Sequence, residues 1–164
     1  MSREHESRVS AWWTSGRSGI AKCDSALSAI HFSEAEERGG LQGRWTPEQL
    51  LLCALAGCFT TTFRAEALQA NFEYTDLQVE AEWKWGDGKR GYRGSEIVLH
   101  PRLTVPSESR VHEGLVLLRR AQSLCSISRA ISIAQVTEPQ VDVGKVPAGG
   151  WAAETSARLS ASAG

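Results

Sequence analysis

The chain has 164 residues, with 18 Lys and Arg against 19 Asp and Glu, and a mean hydropathy of −0.27. That length fits one domain that can bury a sizeable core, and the near-balanced charge gives no electrostatic basis for a nucleic-acid or anionic-membrane partner. The polar start MSREHESRVS is not a signal peptide and the longest apolar run, Leu50–Phe59, is too short to span a bilayer, so a soluble, cytoplasmic protein is expected.

In chain order, Arg8–Trp13, Ile20–Lys22 and Ala26–Phe32 read as short strands separated by Thr14–Gly19 (TSGRSG) and Cys23–Ser25. Ser33–Arg44 is a charged, glycine-containing connection, and its acidic run Glu34–Glu37 reads as solvated loop. A helix starts at Thr46, an N-cap residue followed by Pro47 at the first helical position, with Gln49 completing a capping box. Glu48 there meets the positive end of the helix dipole. The helix is expected to run to about Ala70. It is apolar on every side from Leu50 to Phe59, which predicts burial of that half, and Ala54, Gly57 and Thr61 make a stripe of small residues.

Val79, Ala81, Trp83 and Trp85 alternate with polar neighbours, as in a strand with one buried face, and the two tryptophans read as packing residues. Gly86–Gly91 is a turn, and Ile97, Leu99, Leu103 and Val105 continue the alternation on a return strand. Pro101 interrupts that ladder, which predicts an edge strand or a bulge there. Val111, Leu115, Leu118 and Gln122 or Leu124 follow helical spacing. A last strand is expected within Ala134–Val143, and the Ala/Ser/Gly-rich tail from Pro147 is expected to be flexible. The order predicts an α+β fold: antiparallel sheets packed on a long central helix, in a single domain over residues 1–146. So apolar a helix in so small a chain needs cover, and a second copy of the subunit is one source of it.

Cysteines occur at positions 23, 53, 58 and 125. In a reducing compartment they do not make a disulfide scaffold. No CxxC pair and no His/Cys cluster at zinc-ligand spacing is present, so no metal and no cofactor is expected. Cys53 and Cys58 are separated by about 140° around a helix and cannot bridge each other; Cys125 reaches either only through tertiary folding, and spacing alone does not choose between them. Cys23, beside Asp24 in a turn, reads as incidental, Cys53 as structural, and the scattered histidines carry no role.

TSGRSG at Thr14–Gly19, TPEQLLLCALAGCF at Thr46–Phe59, HPRLTVP at His100–Pro106 and CSISRAI at Cys125–Ile131 together resemble the OsmC/Ohr family, the osmotically inducible protein C and organic hydroperoxide resistance proteins. The resemblance covers about Arg8 to Val143. It implies an intertwined α+β homodimer with sites at the subunit interface. It also implies a peroxidatic thiol at Cys58, a resolving thiol at Cys125, an arginine of the Gly-rich turn at Arg17 and the helix-start glutamate at Glu48. One departure stands out: the family usually has Pro directly after the second cysteine, and here it is Ser126.

The implied activity is a thiol peroxidase that reduces organic or lipid hydroperoxides to alcohols. It proceeds through a Cys58 sulfenic acid and a Cys58–Cys125 disulfide, which an external dithiol, in the family often a lipoyl-bearing protein, reduces. The nucleophile must be a thiolate, and burial among Leu and Ala opposes ionisation. Arg17 is the cation expected to offset that, with Glu48 pinning the guanidinium through a bidentate pair. Leu50, Leu51, Leu55 and Phe59 are candidate apolar walls favouring an organic peroxide. Glu48 lies about 15 Å from Cys58 along a continuous helix, so it cannot reach that sulfur on its own helix; antiparallel helices across a two-fold axis would bring it towards the other chain's Cys58. The alternative is a non-enzymatic member that binds a small apolar ligand or senses oxidation.

Overall fold

Two short sheets and three helices make up the computed structural model, which describes residues 7–86 and 93–144. The expected tail from Pro147 and all of the expected 86–91 turn after Gly86 lie outside the described residues. The chain divides into two compact units, Met1–Leu51 and Leu52–Gly164.

In the first unit, β1 (Ser10–Ser15), β2 (Ser18–Lys22) and β3 (Ile30–Phe32) form an antiparallel sheet in that order. The third strand is shorter than expected, because 26–29 is turn and bend. Gly16 turns the first hairpin at φ +57°, in the left-handed region where a Cβ is strained. A Cβ on Gly19 would run into the ring of Phe32, its cross-strand partner, so glycine lets that ring lie over β2. A short 3₁₀ turn, Glu36–Arg38, interrupts the acidic connection.

α1 spans Pro47–Gln69. The capping box forms: the Gln49 N–H donates to Thr46 Oγ1 at 3.2 Å, and the Thr46 N–H donates to Gln49 Oε1 at 2.9 Å. By length and composition this helix could cross a bilayer. From Leu55 onward, however, it packs one face, Leu55, Phe59, Phe63 and Ala67, into the core of the second unit. Burial is one-sided rather than all-round: Cys53, Ala54, Gly57 and Thr61 are exposed on the protomer. The core opposite that face comes from Phe72, from Ile97, Leu99, Leu103 and Val105 on the second sheet, and from Leu117, Leu118, Ala121 and Cys125.

That sheet is mixed, not wholly antiparallel. β4 (Asp76–Gly86) pairs antiparallel with β5 (Arg93–Val105), while β6 (Gln135–Thr137) and β7 (Gln140–Val143) pair parallel to the other side of β5. The expected last strand is thus two strands, and β5 is central rather than an edge. Pro101 is tolerated there for a specific reason. The Ile97 N–H donates to the Ala134 carbonyl and the Leu99 carbonyl accepts from Glu138, so odd-numbered residues of β5 direct their backbone groups to the β6/β7 side. The amide that Pro101 lacks falls at the break between Thr137 and Gln140, where no ladder bond is due. The bulge of this sheet lies instead at Lys84/Trp85.

α2 (Val111–Leu124) buries Gly114, Leu117, Leu118 and Ala121, a stripe adjacent to the one its apolar spacing suggested. The buried carboxylate of Glu66 on α1 pairs with the Arg120 guanidinium on α2. Cys125 ends α2, and α3 (Ser126–Ala130) starts immediately after it.

Candidate thiol site

The second unit brings Cys58 and Cys125 together. α1 presents Cys58 one position before the buried Phe59, so its sulfur sits at the boundary between core and solvent. Cys125 is fully buried and joins two helices: its N–H donates to Ala121 O at 2.9 Å, its carbonyl accepts from Arg129 N–H at 3.1 Å, and its sulfur caps α3 by accepting from Ser128 N–H at 3.5 Å. The 125–128 turn lies over Cys58, with Cys58 Sγ 3.5 Å from Ser126 Oγ. Gln135 fastens the turn to β6: its Nε2 donates to the Ser128 carbonyl at 2.9 Å and its Oε1 accepts from the Ser128 hydroxyl.

These contacts set the two thiols apart. Partial burial pushes the Cys58 thiol up, but hydrogen bonds from the Ile127 backbone, Ser126, Cys125 and Thr62 outweigh it and bring its pKa down to about 7. Cys125 moves the other way: burial raises it, its hydrogen bond to Cys58 and the charge there raise it further, and the backbone groups of Ser128 and Ile127 offset only part. Near neutrality Cys58 is therefore about half ionised, while Cys125 stays a thiol. Leu55 and Phe59, expected as pocket walls, are at zero exposure in the core beneath Cys58. Cys53 is exposed on α1, and the Cys23 sulfur lies 3.4 Å from Ser25 Oγ, within its own turn.

The other two expected residues lie in the first unit. Arg17 follows Gly16 in the β1–β2 turn, where its Nη1 donates to Gly39 O at 2.9 Å and its carbonyl accepts from the Ser33 hydroxyl at 2.7 Å. With Trp13, Glu34, Arg38 and Gly39 it lines a hollow of about 380 Å³. Glu48 is paired with Arg38, not Arg17: Arg38 Nη2 donates to Glu48 Oε1 at 3.1 Å, and Arg38 Nε to Glu34 Oε2 at 2.8 Å. Burial raises the Glu48 carboxyl, but its own backbone N–H, Thr46 and Arg38 prevail and hold it below the usual range. Arg38, the Ile127 N–H and Gln135 are groups that the sequence alone did not single out, and Ser126 stood out only as a departure from the family's Pro. Arg38 carried a weak signal, being four residues after the acidic Glu34 in the same charged connection. A backbone N–H carries none.

The chain is thus an α+β fold with one cysteine on α1 and another at the α2–α3 turn. The family model described as OsmC-like protein matches residues 39–139, more than half of the chain, and the chain belongs to that family. It is 28% identical over 131 residues, 78% of this chain and 87% of the relative, to the uncharacterized protein YmaD of Bacillus subtilis. The fold is shared with an OsmC-like protein of unknown function from Vibrio cholerae, at TM-score 0.72 and 18% identity over 83% of this chain and 99% of that one. It is also shared with an organic hydroperoxide resistance protein OsmC from Legionella pneumophila, at TM-score 0.68 and 23% identity over 87% of this chain and 100% of that one.

Proposed function

We propose that this protein is a cytoplasmic thiol peroxidase that reduces organic or lipid hydroperoxides to alcohols. The observation that carries the reading is the 125–128 turn seated over Cys58, with Ser126 Oγ 3.5 Å from the Cys58 sulfur and Cys125 buried directly before it; the lowering of Cys58 to about 7 and the raising of Cys125 agree with it. A peroxidatic and a resolving thiol need that division of states.

The Cys58 thiolate attacks the terminal oxygen of R–O–O–H. An S–O bond forms, the O–O bond breaks, and the alkoxide leaves and takes a proton to become ROH, leaving Cys58 as a sulfenic acid. Cys125 then gives up its proton and attacks the Cys58 sulfur; the S–S bond forms and the sulfenic oxygen departs with that proton as water. An external dithiol supplies two electrons, becomes a disulfide and restores both thiols. The family resemblance assigns Arg17 to the peroxide as a fixed cation and Glu48 to pinning that guanidinium, although here Arg38 takes the Glu48 carboxylate.

The test is peroxide loss with cumene hydroperoxide and a dithiol. One dithiol should be oxidised per peroxide, hydrogen peroxide should react more slowly, and Arg17→Ala should lose about ten- to a hundredfold in kcat/KM. Peroxide loss no faster than with dithiol alone would remove the reading and leave a ligand-binding or oxidation-sensing member.

The protein is further proposed to act as a homodimer. Support comes from the exposed stripe Ala54, Gly57 and Thr61 on α1, where another backbone could approach closely. Sedimentation equilibrium should return twice the protomer mass of 17.9 kDa; a single-protomer mass at micromolar concentration would refute this part.

A further inference from the structure

Ser126 is the first residue of α3 and is exposed, yet its side chain turns to the thiol site. The partner the structure gives its hydroxyl is Cys58 Sγ, at 3.5 Å, within hydrogen-bond reach for sulfur. Its backbone is held in place from both sides. Cys125 before it is fixed by the Ala121 carbonyl and the Ser128 N–H, and Ser128 after it is clamped by Gln135. The hydroxyl therefore approaches the sulfur from a braced turn, not from a free rotor at the end of a loop.

We propose that Ser126 is a catalytic residue of the thiol site: its hydroxyl donates to the Cys58 sulfur and holds it as a thiolate. The direction of the bond follows from charge. A thiolate carries no proton, so the hydroxyl must be the donor, and a hydrogen bond to an ionised acceptor is stronger than one to a neutral thiol. The bond thus favours the charged form over the neutral one. Ser126 is among the groups that lower the Cys58 thiol against the burial that raises it. Cys125 is the titratable group among those groups, and its own burial keeps it protonated over the range where Cys58 ionises.

This inference deepens the peroxidase reading but is tested without peroxide. The rate at which iodoacetamide modifies Cys58, followed by mass spectrometry of its peptide, is measured against pH in the full chain. Ser126→Ala should raise the apparent pKa of that profile by about one pH unit. A half-ionised thiol then becomes about one-tenth ionised, so alkylation at pH 7 should fall about fivefold while the rate at pH 10 stays unchanged. Ser126→Thr, which keeps the hydroxyl, should restore the wild-type profile. A Ser126→Ala profile that matches wild type, or one lowered equally at every pH, overturns the proposal, the second because it reports only a displaced turn. A shifted profile with no peroxide turnover would sink the peroxidase reading and leave this one standing; turnover with no shift would do the reverse.

Discussion

Replacing Cys58 with serine should lower peroxide turnover by at least about a thousandfold, to the rate of dithiol alone. A serine hydroxyl at the same point of α1 stays protonated at any pH at which the protein is folded, and it cannot form a sulfenic acid. Cys125→Ser should behave differently, and the contrast is the informative part. Its first turnover should proceed, because the Cys58 sulfur and the Ser126 and Ile127 donors remain. Catalysis should then stall, with the Cys58 peptide gaining oxygen as sulfinic acid because no thiol waits beside it. Non-reducing mass spectrometry of wild type after one equivalent of peroxide should show Cys58 joined to Cys125. Equal turnover by wild type and Cys58→Ser would place the chemistry elsewhere. The pH dependence has a definite sign. With Cys58 lowered to about 7, single-turnover peroxide reduction should fall about tenfold between pH 8 and pH 6, as the thiolate is lost. Cys125 is raised, so the resolving step should go on accelerating above the pH at which the first step has levelled off.

Phe63→Ala should destabilise the fold by about 3–5 kcal/mol, a large share of the roughly 5–15 kcal/mol that holds a domain together. Phe63 has no exposed surface, lies in the cluster that joins α1, β5 and α2, and meets Tyr74 edge-to-face at 5.2 Å. Truncation removes the ring from a packed interior and leaves a cavity beneath the helix that carries Cys58. For a chain of this length the midpoint of thermal unfolding should drop by roughly 8–16 °C. Phe63→Leu, which fills most of the space, should recover more than half of the loss. A Phe63→Ala midpoint within about 2 °C of wild type would show that α1 is not anchored through this face.

Local signals are legible in the sequence. The Thr46 and Gln49 cap is written in adjacent residues, and the alternation in 78–85 and 97–105 is a property of a single strand. Pairing is not legible. Nothing in Gln135–Thr137 or Gln140–Val143 says that these segments run parallel to β5, because three or four residues fix no partner, and that pairing is why Pro101 could be mistaken for an edge signal. The apolar stretch of α1 points to the core face at Leu55 and Phe59 but also predicts burial for Cys53 and Ala54, which the protomer leaves open. At the site, the motif leads to Cys58 and Cys125. It does not lead to what sets the first thiol, since Ile127 acts through its backbone and Ser126 looks like a neutral departure. Glu48 stands out at the helix start, but Arg38, not Arg17, takes its carboxylate.

The interruption that admits Pro101 also shapes the surface beside it. Where β6 stops and β7 has not begun, a hollow of about 770 Å³ opens, lined by His100, Arg102, Glu138, Pro139 and Gln140 among others. Across it the His100 imidazole reaches Glu138 at 3.3 Å, one residue along from the prolyl gap. The link between the last two strands is thus tied to β5 by an imidazole and a carboxylate as well as by the main-chain bond from Glu138 to Leu99. A substitution at His100 or Glu138 that removes the side-chain pair leaves that main-chain bond in place.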